Sequence, residues 1–86
     1  MVDRIPEDTV EFHIRGYTVT VENAALGRAI AVLPVRLRDV ALLYYFAGMS
    51  APQIGQLLRL KPGTVQHRKT ASLAKLRKLM GGSYGQ

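Results

Sequence analysis

Between Val10 and Val21 apolar and polar side chains alternate. Val10, Phe12 and Ile14 lie on one phase, and Tyr17, Val19 and Val21 resume it after Arg15-Gly16. A period of two is the mark of a strand with one buried face. With Arg15-Gly16 as a two-residue hairpin turn, Ile14 faces Tyr17, Phe12 faces Val19 and Val10 faces Val21, so that all six apolar side chains share one sheet face. A lone hairpin is marginal in water, and its face is expected to pack on helices or on a partner. His13 is out of phase and is expected to face solvent. Residues 1–9, polar and containing Pro6, are expected to be a loose arm.

From Glu22 the period becomes helical. Leu26, Ile30 and Leu33 are spaced by four and three until Pro34 interrupts them. A second helix can start with Pro34 in its first turn, present Leu37, Val40, Ala41 and Tyr44 along one side, and stop at Gly48. Leu42, Leu43, Tyr45 and Phe46 widen its apolar surface beyond one stripe, which predicts a central helix packed on most of its circumference, with Tyr44-Tyr45-Phe46 in the core. Ser50, with Gln53 three residues on and Pro52 between them, predicts a capping box for a third helix of about two turns, buried through Ile54, Leu57 and Leu58. Pro62 opens the last and longest helix, expected to turn Val65, Ser72, Leu73, Leu76, Leu79 and Met80 inward before Gly81-Gly82 ends it.

Charge changes the picture more than composition does. The chain has 86 residues, enough for one small domain, and a net charge of +6. The last acidic residue is Asp39, and every later charge is basic: Arg59, Lys61, Arg68, Lys69, Lys75, Arg77 and Lys78. A one-signed half favours a polyanionic partner, nucleic acid before acidic lipid, and an ordinary solvated basic surface is the alternative that charge alone leaves open. Cysteine is absent and His13 and His67 are the only histidines, so neither a disulfide framework nor zinc-ligand spacing is present. No cofactor and no metal are expected. An enzyme is not expected either, because the glycines form no phosphate loop and the six carboxylates lie in the first half without evident pairing. The charged N-terminus lacks the form of a signal peptide and no stretch reaches membrane-spanning length, which predicts a cytoplasmic protein.

A short and a long helix joined by a tight turn outline a helix-turn-helix. Relative to Gly55, apolar residues stand one before (Ile54), three after (Leu58), five after (Leu60) and ten after (Val65), as two closely crossing helices need. Glycine inside a helix costs about 1 kcal/mol relative to alanine, and close approach of the second helix accounts for Gly55. In the DNA-binding form of the motif, the start of the second helix reaches base edges in the major groove. The expected base contacts are Gly63, Thr64, Gln66, His67 and Lys69; Gln66 can pair with adenine and Lys69 can reach a guanine edge or a phosphate. The expected phosphate contacts are Arg59, Lys61 and Arg68. Lys75, Arg77 and Lys78 rank lower and can be a solvated face.

These residues resemble a known family. Leu33-Pro34, Leu37-Arg38-Asp39-Val40, Leu43-Tyr44-Tyr45-Phe46-Ala47-Gly48-Met49-Ser50, Gln53-Ile54-Gly55, Gly63-Thr64-Val65 and Leu73-Ala74-Lys75-Leu76-Arg77, in that order, resemble the fourth conserved region of bacterial RNA polymerase sigma factors over roughly residues 22–80. The resemblance implies a mainly α fold, a four-helix, sigma region 4-like helix-turn-helix domain, here with a short N-terminal β-hairpin. It divides the chain into arm and hairpin (1–21), helix-turn-helix domain (22–80, with the motif's helices at about 51–58 and 62–80) and flexible tail (81–86). It also implies a function: reading the −35 promoter element as a transcription factor on double-stranded DNA, and docking on the flap of the RNA polymerase β subunit. By position, Lys61, Pro62, Gly63, Gln66 and His67 fall where the family contacts DNA. The hairpin fits the short stand-alone type found in mobile elements. Arg59 stands where the family often has glycine, and Lys61 where it usually has a serine or threonine N-cap. The family melts the −10 element with a separate domain, so these residues alone are not expected to act as a complete sigma factor.

Two other regulators fit parts of the pattern. A LuxR-type DNA-binding domain shares the Thr-Val opening of the recognition helix, and a protein-interaction module would use the same helical cleft to hold polymerase or another regulator without reading DNA. A basic helix lying on an anionic membrane fits less well, because Leu73, Leu76 and Leu79 are needed to close so small a core.

Overall fold

The computed structural model describes residues 9–81. Strands β1 (Val10–Ile14) and β2 (Tyr17–Val21) form an antiparallel pair, followed by α1 (Ala24–Val32), α2 (Val35–Ala41, continued as π-helix over Leu42–Phe46), α3 (Ala51–Leu58) and α4 (Pro62–Leu79). The fold is therefore mainly helical with an N-terminal hairpin. Most of the expected arm and tail, residues 1–8 and 82–86, lies outside the described residues.

The hairpin register is the one its alternation predicts, with Val10 opposite Val21, Phe12 opposite Val19 and Ile14 opposite Tyr17. Both turn residues have positive φ, 48° at Arg15 and 86° at Gly16, which gives the tight turn a twist that matches its strands. Ile14, Val19 and Val21 enter the same core as Ile30, Leu33, Val40, Leu42, Leu43, Ile54, Val65 and Leu76. Tyr17 is the exception on that face, 47% exposed at the turn end. Three further contacts fix the hairpin. Val10 packs on Gly27 of α1, where an added Cβ would stand 2.5 Å from its methyl group. The Arg38 guanidinium lies 5.9 Å from the centre of the Phe12 ring. At the tip, Arg15 Nη1 donates to the Leu57 carbonyl oxygen at 3.3 Å. His13 faces solvent, as its phase predicts.

Asn23 caps α1 by accepting from the Leu26 amide at 2.9 Å, and the extended backbone of Leu33 and Pro34 separates α1 from α2. In α2 four consecutive residues, Val40 to Leu43, are buried, as happens only in a helix surrounded by its neighbours. Its last turn widens, the Ala47 amide reaching back five residues to the Leu42 carbonyl at 3.0 Å, and Gly48 ends it at φ 75°. This turn corrects the expectation for the aromatic cluster. Leu42 and Leu43 take the inward positions, Tyr44 packs at the core's edge, and Tyr45 and Phe46 emerge at the surface.

In α4, Val65, Ser72 and Leu76 are buried and Leu73 and Met80 half-buried. Leu79, expected in the core, is exposed instead. α1 and α4 do not close on each other at that end, and an open groove runs between Val32, Leu33, Pro34, Lys75, Lys78 and Leu79. Full burial of a side chain such as Ile54 or Val65 stabilises the fold by about 1.5–3 kcal/mol.

Candidate nucleic-acid interface

The site begins with the entry to α3. The Ser50 hydroxyl accepts from the Gln53 amide at 3.2 Å, while the Gln53 side chain accepts from the Ser50 amide at 2.9 Å, the capping box that the sequence predicts. Two turns later the helix stops at Arg59, whose φ of 62° and ψ of 49° are left-handed. The amides of Arg59 and Leu60 both donate to the Gly55 carbonyl, Leu60 at 2.7 Å. A left-handed residue is what lets the chain reverse so sharply, and here it is an arginine in a conformation that favours glycine.

Lys61 precedes α4 with extended backbone and no side-chain cap. Pro62 lacks an amide hydrogen, and the first intrahelical bond runs from the Val65 amide to the Lys61 carbonyl at 3.1 Å. The amides of Gly63 and Thr64 therefore have no acceptor within the helix. Gly63 has neither a positive φ nor a neighbour within 4 Å of where a Cβ would stand. Nothing inside the molecule requires glycine there, and the backbone at that point is open to approach from outside.

Val65 is completely buried and orients the rest of the helix. Gly63, Gln66 and His67 are exposed and fall at i, i+3 and i+4, on the side away from Val65. Thr70, exposed at i+7, continues the same row. Helical spacing from Gly63 places it there. Thr64 and Arg68 are half-buried on the flanks, and Lys69 turns toward α2, its Nζ 4.3 Å from the centre of the Tyr44 ring. Arg59 and Lys61 are exposed on either side of the turn. Lys75, Arg77 and Lys78 are exposed about 20 Å or more along the axis from Pro62, at 1.5 Å per residue.

The acidic residues of the described region, Glu11 in β1, Glu22 between β2 and α1, and Asp39 in α2, all precede α3, so α3, the turn and α4 carry basic charges alone. A third basic group near the turn comes from outside the motif. Arg15, at the hairpin tip, is bonded to the last turn of α3. No sequence spacing announces this, because 42 residues separate the two partners.

The family model for sigma-70, region 4, matches residues 23–76. The chain belongs to this family. Neither the curated proteins nor the solved structures compared with the chain include a match. Sigma-70 region 4 is a DNA-binding, transcription-related helix-turn-helix domain rather than an enzyme family, and its members bind DNA and RNA polymerase. Here the region 4 match opens at the Asn23 cap of α1 and closes at the buried Leu76, so it takes in all four helices and leaves out the hairpin. Among the described residues no group of three or more histidine, cysteine or acidic side chains is placed to hold a metal ion, and no helix is long and apolar enough to cross a membrane.

Proposed function

We infer that the protein is a sequence-specific DNA-binding transcription factor of sigma region 4 type, reading a promoter element with the first two turns of α4. The observation that carries this is the open row of Gly63, Gln66, His67 and Thr70, on a helix whose first amides are uncovered and which itself carries basic charges alone. Gln66 presents the paired donor and acceptor that match an adenine edge, and His67 adds a further polar edge contact. The Gly63 and Thr64 amides, at the positive end of the helix, take a phosphate. Arg59, Lys61 and Arg68 hold the backbone on either side, and Lys69 reaches the duplex by leaving the Tyr44 ring.

The test is selection from a pool of random duplexes at low and moderate salt. An enriched motif that persists at moderate salt is the expected result. Binding without enrichment that vanishes in salt would remove the sequence-reading function.

A second surface supports polymerase docking beside DNA reading. The groove between α1 and α4 exposes Val32 and Leu79 over an apolar floor, with Lys75 and Lys78 on its rim. An apolar segment with acidic flanks on the polymerase would fit that combination. Binding of the isolated flap, abolished by Val32→Asp, would establish it.

A further inference from the structure

The hairpin does more in this structure than close the core. Its two ends differ in charge: Glu11 and Glu22 are toward the end remote from the turn, whereas the tip carries Arg15. The tip lies against the last turn of α3, where Arg15 Nη1 bonds to the Leu57 carbonyl two residues before Arg59. Arginine has five N–H donors, and this contact uses one. The residue is exposed, so the rest of the fork is turned to solvent beside the helix-turn-helix turn. The lever that holds it is stiff, because Val10 is seated on Gly27, Phe12 under Arg38, and Ile14 and Val19 in the core.

The choice of residue is itself informative. Arg15 has a φ of 48°, a backbone conformation that asparagine or glycine adopts more easily than arginine. Asn-Gly would make a better turn of the same shape. The arginine comes at a cost to the turn, and what it supplies is a positive charge held at the last turn of α3, two residues before Arg59.

We propose that the β-hairpin acts as a wing, with Arg15 gripping a DNA backbone phosphate beside the groove that α4 enters. This rests on the DNA-reading function above and extends its footprint to an element that the family match does not include. Arg15 forms two hydrogen bonds at once, one to the Leu57 carbonyl that fixes the fork and one to a phosphate oxygen. It contributes affinity and orientation and no base preference.

The experiment compares the full chain with Arg15→Asn and Arg15→Lys on the duplex selected above and on an unrelated duplex, from 50 to 200 mM salt. Arg15→Asn suits the turn, so folding is retained and thermal unfolding monitors it. The wing predicts that Arg15→Asn weakens both duplexes by the same factor and reduces the slope of log K against log salt by about 0.9, so that the wild-type chain loses about threefold more affinity than the variant over that range. Arg15→Lys keeps the slope and loses part of the affinity with the fork. An unchanged slope and affinity in Arg15→Asn would overturn the wing and leave the DNA-reading function standing. A lowered melting temperature with an unchanged slope would reduce Arg15 to a cap on α3. Failure of the wild-type chain to bind any duplex would overturn both.

Discussion

A Cβ placed on Gly55 would stand 2.5 Å from the carbonyl oxygen of Leu60. The neighbour is backbone, fixed by the Leu60 amide bonding back to the Gly55 carbonyl at 2.7 Å, and it cannot move aside as a flexible side chain would. Gly55→Ala gains up to about 1 kcal/mol of helix propensity and loses more to the collision. The expected net loss is about 1–3 kcal/mol. Denaturant unfolding monitored by circular dichroism checks it; a variant as stable as the parent would show that the turn has freedom this geometry denies.

Arg59 sits at the same turn with left-handed backbone angles. Arg59→Gly is expected to stabilise the fold by about 0.5–1 kcal/mol, since the αL conformation is less costly for glycine. The same change should weaken DNA binding, with the salt slope falling by about 0.9 if Arg59 meets one phosphate. Melting and binding measured on one preparation should move in opposite directions. Movement in the same direction would sink this division of roles.

Lys69 and Tyr44 form a pair across α4 and α2, ammonium to ring centre 4.3 Å. A double-mutant cycle with Lys69→Met and Tyr44→Leu should return a coupling of about 0.5–1 kcal/mol in stability. DNA binding separates the two uses of the side chain. If Lys69 leaves the ring to reach the duplex, Tyr44→Leu frees it and affinity holds or rises, whereas Lys69→Met lowers affinity.

Along the exposed row of α4, Gln66→Ala should cost about 1–3 kcal/mol against the preferred duplex and far less against others, relaxing sequence preference. Arg68→Ala should weaken all duplexes alike. Competition titrations with several duplexes distinguish the two; a uniform effect from both would mean that Gln66 does not read a base.

Local rules made much of the fold legible. Alternation across Arg15-Gly16 gives the strand register residue for residue, and Ser50 with Gln53 gives the capping box. Gly55 is accounted for by close approach, although its neighbour is the turn backbone rather than a side chain of α4. What misled was the end of α2 and the end of α4. Apolar character alone cannot tell Leu43 from Phe46, and the widened turn that separates them depends on how the surrounding helices pack. Leu79 continues the inward stripe of α4 by spacing, but it lies at the rim of a groove that α1 leaves open. At the interface, Thr70 was within reach of the helical period, while the Arg15 contact spans 42 residues and has no local signature.

Ile14, Val19 and Val21 are as deeply buried as the helical core residues beside them. The boundary of the family match at residue 23 is thus not a boundary of cooperative folding. Cut there, the four helices would keep every residue the family shares and lose one wall of their own interior, exposing Leu42, Leu43 and Ile30 to water. Amide protons of β2 and of α2 should then exchange through the same global opening, as expected if the minimal foldable unit is the helices together with the strands that precede them.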